Sequence, residues 1–96
     1  MYARVASFEN VDIEKMEAFS QQSDAERPAL PEGVRKMMMF VDRAGRRSRF
    51  VTFFDTREAI DAAEATFERM GNDIPEEDRG RRTSVEVWEV VHDETV

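Results

Sequence analysis

The feature that most constrains the fold is a pair of neighbouring apolar runs that are hydrophobic at both odd and even positions. Val34–Asp42 and Arg47–Phe54 are too short for amphipathic helices and are bounded by turn residues, so both predict strands. Successive side chains of a strand point to opposite faces, so a strand covered on one side only should alternate apolar with polar residues. These runs instead predict a sheet that is apolar on both faces.

The segment Asp42-Arg43-Ala44-Gly45-Arg46 predicts a hairpin turn between the two strands, with Gly45 supplying the positive backbone angle. If this loop has an even number of residues, the two-residue period divides the hairpin into two sets of side chains. One face carries Met37, Met39, Val41, Phe50, Thr52 and Phe54. The other face carries Met38, Phe40, Val51 and Phe53.

The N-terminal third of the chain predicts a strand, a helix and a loop. Tyr2–Phe8 lacks Gly and Pro and favours a strand, and Val11–Gln22 has apolar residues every three positions, which is typical of one helix face. Asn10 or Asp12 is the expected N-cap of this helix. Ser23–Gly33 combines prolines and a glycine with charges, which indicates a connecting loop.

The C-terminal half predicts a second helix and a last strand. Asp55, followed by Glu58, resembles a capping box, and the helix is expected to close at Gly71. Its apolar face carries Ile60, Ala63, Phe67 and Met70. Asn72–Arg82 predicts a polar loop with one helical turn after Pro75, and Thr83–Val91 predicts the fourth strand.

The order β-α-β-β-α-β predicts one α+β domain over residues 1–96. Two short helices cover only one face of a four-stranded sheet, so the other apolar face needs a partner. A twofold axis makes the same patch its own partner, which predicts a homodimer that packs sheet against sheet. A mixed second face, interrupted by Lys36 and Arg49, is the alternative.

Composition excludes several classes of function. The chain has no cysteine and one histidine, which excludes disulfides and the usual zinc sites and leaves a serine–histidine triad little support. A net charge of −7 disfavours nucleic acid and anionic membranes as partners. No apolar run approaches a membrane span and no signal peptide is evident, so we expect a cytoplasmic protein. The preference for arginine over lysine suggests a GC-rich bacterial genome.

Four segments resemble a known family, the dimeric α+β barrel proteins related to antibiotic biosynthesis monooxygenases. They are Leu30-Pro31-Glu32-Gly33-Val34, Val41-Asp42-Arg43, Phe53-Phe54-Asp55-Thr56-Arg57-Glu58-Ala59 and Val85-Glu86-Val87-Trp88-Glu89-Val90-Val91. The resemblance implies a ferredoxin-like sheet in a dimeric barrel, with helices outside and a small apolar pocket between sheet and helices. Members include oxygenases that oxidise aromatic polyketides without metal or flavin, haem-degrading enzymes, and proteins with no known activity.

The sequence departs from the haem-degrading members at three positions. Phe54 stands where the family has a tryptophan, Val5-Ala6-Ser7 offers no counterpart to an asparagine in the first strand, and Phe67-Glu68-Arg69-Met70 lacks a histidine on the second helix. We therefore expect neither haem cleavage nor a copurifying haem, flavin or structural metal. His92 is expected at the surface, and Trp88 in the core or a dimer interface.

The candidate ligand-binding residues follow from the resemblance and the strand period. Phe54 is placed by the resemblance at a pocket-facing position, and Phe50 and Thr52 share its face. Met37 and Met39 join them as adaptable thioethers. No catalytic residue is assigned. An enzyme would need a polar side chain in the pocket to handle a substrate proton, and the sequence offers few candidates beyond Thr52 and Ser48.

We therefore expect a dimeric small-molecule-binding protein without a cofactor. The residues leave open whether it is also a cofactor-independent monooxygenase acting on an apolar aromatic substrate or a non-enzymatic ligand-binding or stress-related module. An RNA-binding domain is a further alternative, since Arg46 with Phe50-Val51-Thr52-Phe53 partly matches an RNA-recognition signature. Ser48, however, stands where that signature needs a stacking aromatic residue.

Overall fold

The computed structural model describes residues 1–21 and 30–96. These residues form four strands and three helices, and no helix among them is long and apolar enough to cross a bilayer. The elements are β1 (Tyr2–Glu9), α1 (Ile13–Ser20), β2 (Val34–Asp42), β3 (Arg47–Phe54), α2 (Arg57–Asp73), α3 (Glu76–Arg79) and β4 (Arg81–Glu89). This order gives the predicted α+β, ferredoxin-like fold.

The four strands form one antiparallel sheet in the order β2-β3-β1-β4. In the β2–β3 ladder Met37 pairs with Thr52 and Met39 pairs with Phe50. Paired residues lie on the same face, so the two predicted sets of side chains are confirmed. Both strands also have the predicted bounds, because each continuous apolar run ends at a turn residue.

All three helices pack on one side of the sheet. A core of Phe54, Ile60, Ala63 and Phe67 joins β3 to α2 on that side. On the other side, which we call the open face, no described element covers the strands. Its side chains alternate with those of the core and include Phe40, which is 48% exposed, and Trp88, which is 59% exposed. The fold thus separates one sheet into a packed face and an open face.

Helix α1 is shorter than predicted. It begins at Ile13 because the Asp12 side chain accepts a hydrogen bond from the Lys15 backbone N–H at 3.2 Å, which makes Asp12 the N-cap. Val11 lies outside the helix, where its N–H donates to Arg46 O at 2.9 Å. The predicted helix end at Gln22 and most of the loop that follows lie outside the described residues.

The hairpin turn differs from the prediction in which residue takes the positive angle. Arg46 has φ 52°, whereas Gly45 does not have a positive φ. Gly45 instead makes room for the Asp42 side chain, since a Cβ at position 45 would lie 2.6 Å from Asp42 Oδ2. Asp42 accepts from the Gly45 N–H at 3.1 Å and from Arg47 Nη2 at 2.6 Å. The bond from Arg47, followed by that from Gly45, lowers the pKa of Asp42 below its ordinary value of 3.8.

Helix α2 starts one residue later than predicted and does not close at Gly71. Thr56, not Asp55, is the N-cap, and its hydroxyl accepts from the Ala59 N–H at 3.1 Å. The helix passes through Gly71 and ends at Asp73, because Ile74 precedes a proline and is extended. Arg79 Nε donates to the Gly71 carbonyl at 2.8 Å and to the Ile74 carbonyl at 3.3 Å, so it satisfies orphan acceptors at the helix end.

The predicted helical turn after Pro75 is present as α3, but β4 begins earlier than expected, at Arg81. Gly80 allows this early start: it has φ 78°, and a Cβ there would lie 2.1 Å from Glu9 O. The close approach puts the first residue of β4 beside the last residue of β1, where Arg81 pairs with Glu9 in the ladder. Strand β4 ends at Glu89, two residues before the predicted end at Val91.

Candidate functional site

A cavity of about 760 Å³ lies between the packed face of the sheet and the helices. This volume falls within the range of small-molecule sites. Most of the side chains that line it are apolar and come from three strands and the first two helices. They include Ala6, Phe8, Met16, Phe19, Leu30, Met37, Met39, Phe50, Phe67, Met70 and Ile74.

Three of the five predicted ligand-binding residues line this cavity: Met37, Met39 and Phe50. Thr52 and Phe54 lie on the same face but have no exposed surface. Phe54 packs its ring edge-to-face on Phe67, with centroids 6.1 Å apart and planes at 84°. The structure therefore brings the five together on one face and puts two of them behind the cavity wall. Their role in ligand binding stays a prediction.

The hydroxyl of Thr52 is isolated. Within the described part of the chain, Thr52 Oγ1 is the only enclosed side-chain oxygen or nitrogen without a hydrogen-bond partner. Its cross-strand neighbours are Arg4 on β1 and Met37 on β2. A buried hydroxyl without a partner loses its hydration and gains nothing in return. We therefore expect Thr52 to weaken the core slightly.

Arg4, on the central strand β1, is the main polar group in the cavity wall. Its residue is only 2% exposed, and its Nε and Nη2 donate to the two Glu64 oxygens at 2.7 and 3.1 Å. The guanidinium carbon lies 4.2 Å from the centroid of the Phe67 ring. A carboxylate on one edge and an aromatic ring on one face hold the guanidinium in a fixed orientation.

The remaining edge of this guanidinium is free. Nη1 makes no hydrogen bond to any described residue, and it is not among the enclosed polar atoms. Arg4 lines the cavity, and its Nη1 retains some accessible surface. The site thus offers a fixed pair of N–H donors in a mainly apolar wall.

Neither Arg4 nor Glu64 was predicted as a site residue from the sequence. One signal was available for Glu64, which follows Ile60 by four positions and precedes Phe67 by three. This spacing puts a carboxylate at the apolar face of α2, where it needs a cationic partner. No comparable pattern identifies the partner on β1, which is 60 residues away.

Several charged residues mark the end of the cavity where β4 begins, and they are already engaged. Arg82 Nη1 donates to Glu68 at 2.7 Å, and Arg81 Nη2 donates to Glu9 at 3.2 Å. Arg79 donates to the backbone carbonyls of Gly71 and Ile74, as described above, and its Nη1 also donates to Gly80 O at 2.9 Å. These bonds join α2 to β4, β4 to β1, and the end of α2 to α3.

Comparison with known proteins shows a similarity in fold to a solved structure. No protein-family model matches the chain, and no curated protein matches it. Among solved structures, the chain is similar to an arginine-to-serine mutant of MhuD, whose crystal structure has two manganese protoporphyrin IX molecules bound per active site. The similarity covers 100% of both chains, with 17% sequence identity and a TM-score of 0.60. It shows the fold, and it supports the ferredoxin-like arrangement that the monooxygenase resemblance implied.

The cavity does not offer the usual ligands for a haem iron. Haem proteins bind the iron through histidine, cysteinate, methionine paired with histidine, or tyrosinate. Among the described residues that line the cavity, thioethers are the only donors of this kind. His92 follows β4 with a side chain that is 76% exposed, and it does not line the cavity. In residues 1–21 and 30–96, no cluster of three carboxylate, histidine or cysteine side chains forms a metal site either.

Proposed function

We propose that this protein is a homodimer that binds an apolar small molecule in the cavity between sheet and helices of each subunit. The observation that carries the proposal is the cavity itself, which is about 760 Å³ in volume and lined mainly by aliphatic, aromatic and thioether side chains. Apolar ligands gain free energy by leaving water for such a site. The proposal is also supported by a solved structure of similar fold that has porphyrin molecules bound in its active site.

The cavity is tested with N-phenyl-1-naphthylamine, a neutral probe whose fluorescence rises in apolar surroundings. Ala6 is 2% exposed and lines the cavity, so Ala6→Leu adds a side chain inside the space that the probe needs. We expect wild type to bind the probe with micromolar affinity and Ala6→Leu to lose at least tenfold. Ala62→Leu, an exposed change on α2, is the control and should bind as wild type. Equal binding by all three would contradict the proposal.

A second candidate is a cofactor-independent, monooxygenase-like reaction on an aromatic ligand. It is favoured by Arg4 and by Ser48, which is 7% exposed and also lines the cavity, since both put hydrogen-bonding groups beside a bound ligand. An oxygen electrode separates this candidate from binding alone. Ligands that raise the melting temperature are incubated with the protein in air-saturated buffer. Oxygen consumption above a protein-free control indicates an enzyme, and none indicates a binding protein.

The dimer is supported by the open face. Its exposed Phe40 and Trp88 lie among further apolar side chains of β1, β2 and β3, namely Ala3, Val5, Met38, Val51 and Phe53. Arg49 and Glu86 lie on the same face, and neither has an ion-pair partner within the described part of the chain. A face that is apolar and carries unpaired charges of both signs is complementary to a second copy of itself.

Sedimentation equilibrium at micromolar concentration tests the dimer and should give twice the chain mass of 11.2 kDa. If Arg49 of one copy pairs with Glu86 of the other, Arg49→Glu should weaken the dimer at least tenfold. Adding Glu86→Arg should then restore most of the loss, because the charges of this intermolecular pair are reversed and not removed. A monomeric wild type would refute the dimer. If that monomer also binds a fluorescent single-stranded RNA, the open face is an RNA platform.

A further inference from the structure

The charge of Arg4 in the cavity wall is already neutralised, and this fact restricts which ligand groups the cavity accepts. Glu64 lies 2.7 Å from Arg4 Nε and forms a two-point ion pair with the guanidinium. Inside a mainly apolar wall, a pair of this kind has no net charge left to offer. What remains for a ligand is the hydrogen-bonding capacity of the free Nη1.

We propose that Arg4 and Glu64 together select ligands with a neutral acceptor oxygen, such as a ketone, over ligands with a carboxylate. This inference rests on the proposed ligand cavity and specifies the chemistry of its ligand. A carbonyl oxygen can accept from Nη1 without bringing charge into the cavity. A carboxylate at the same place would put two negative groups around one cation, so one negative charge would be buried without compensation.

The same geometry assigns Glu64 as the residue that sets this preference. Its side chain is 38% exposed and does not line the cavity, so it acts on a ligand through Arg4 and is a positioning residue. Glu64→Gln keeps an acceptor for Arg4 at nearly the same place but removes the negative charge. The guanidinium then becomes an uncompensated cation in a low-dielectric wall, which favours an anionic ligand group.

Three probes of one shape test the preference: 2-acetylnaphthalene, 2-ethylnaphthalene and 2-naphthoate. The first carries a ketone, the second replaces the ketone with hydrocarbon, and the third carries a carboxylate. Dissociation constants are measured by fluorescence or calorimetric titration at neutral pH with the full chain. For wild type we expect the ketone to bind about tenfold more tightly than either of the others, which is the size of one hydrogen bond to a charged donor.

For Glu64→Gln we expect the order of ketone and carboxylate to reverse, with 2-naphthoate gaining at least tenfold. Glu58→Gln is the matched control, because it removes the same charge from the same helix at an exposed residue that does not line the cavity. It should leave the order unchanged. Arg4→Met should bind the ketone and the hydrocarbon equally. If it fails to fold, the comparison of the two glutamate variants still decides the question.

The possible failures are distinguishable. If wild type binds none of the three probes and also fails to bind N-phenyl-1-naphthylamine, the cavity is not a ligand site and the proposed function is wrong. If the probes bind but wild type prefers 2-naphthoate, the cavity stands and the role of the Arg4–Glu64 pair is refuted. An unchanged preference in Glu64→Gln, or the same reversal in Glu58→Gln, refutes it as well.

Discussion

The two faces of the sheet contain similar apolar residues but lie in opposite environments. On the packed face Phe54 has no exposed surface, whereas on the open face Phe40 is 48% exposed. The faces also differ in their charges: Arg4 on the packed face is paired with Glu64, while Arg49 on the open face has no ion-pair partner among the described residues. Apolar character alone therefore does not tell which face of a strand is buried in the subunit. The state of the charges is more informative, because a buried charge must be paired.

The largest expected difference between the faces is in the stability of the subunit. Phe54→Ala removes a ring that packs on Phe67 and should lower the free energy of unfolding by about 3 to 5 kcal/mol. Phe40→Ala removes a ring that makes fewer contacts within the subunit and should cost much less at protein concentrations below the dimer dissociation constant. Urea denaturation at several protein concentrations measures both. Equal losses at low concentration would mean that the faces do not differ in this way.

The second expected difference is in association. Phe40→Glu puts a charge on the open face and should dissociate the proposed dimer, because a carboxylate buried without a partner in the proposed interface is costly. Val85→Glu is the matched control: Val85 is 38% exposed and lies on β4, but it pairs with Ala6 and so lies on the packed side. Size-exclusion chromatography with light scattering should show a monomer for the first variant and a dimer for the second. A dimer in both would exclude the open face as the interface.

A smaller effect is expected at the isolated hydroxyl of the packed face. Thr52→Val replaces an oxygen that has no partner with a methyl group of similar size, so it should stabilise the protein by about 1 kcal/mol. Thr56→Val is the opposite case. It removes the hydroxyl that caps α2 and should destabilise the protein by about 1 kcal/mol. Thermal denaturation measures both, and a loss of stability in Thr52→Val would indicate that its hydroxyl has a partner.

The smallest expected effect lies at the hairpin, where both faces end. Since the Arg47 and Gly45 bonds lower the pKa of Asp42, its contribution to stability is present above 3.8 and is lost as pH falls through the lowered pKa. Asp42→Asn should therefore have a slightly lower melting temperature than wild type at neutral pH. This difference should disappear in acid below the lowered pKa. Asp61→Asn, an exposed change on α2, should show no such pH dependence.

Much of the fold could be predicted because strands leave a simple signal. The bounds of β2 and β3 follow from uninterrupted apolar runs, and the two-residue period assigns their side chains to faces without knowledge of the rest of the chain. Caps were harder, because Asp55 and Thr56 are adjacent and both suit an N-cap. Only the backbone direction at the start of α2 decides between them. The positive φ of Arg46 was not predicted either, because glycine is the usual residue for such an angle. Gly45 is required instead to leave room for the Asp42 side chain.

The candidate site could be predicted only in part. Met37, Met39 and Phe50 follow from strand alternation, but the ion pair between Arg4 and Glu64 joins residues 60 positions apart. Such a contact depends on how α2 crosses the sheet, and no local pattern encodes that crossing. The apolar residues that α1 adds to the cavity, such as Met16 and Phe19, depend on tertiary packing in the same way.

The strand order has a consequence for how the chain assembles. Among the strands that the structure describes, only β2 and β3 are joined by a short turn, so their hairpin can close early and quickly. Strand β1, although synthesised first, pairs with β3 and with β4, and in the second ladder Tyr2 meets Glu89. Strand β1 can therefore form backbone hydrogen bonds on both of its edges only after β4 has been synthesised. Until then, the edge of β1 that later pairs with β4 and its apolar side chains are available for mispairing. This protein is therefore most open to aggregation in the interval before β4 leaves the ribosome.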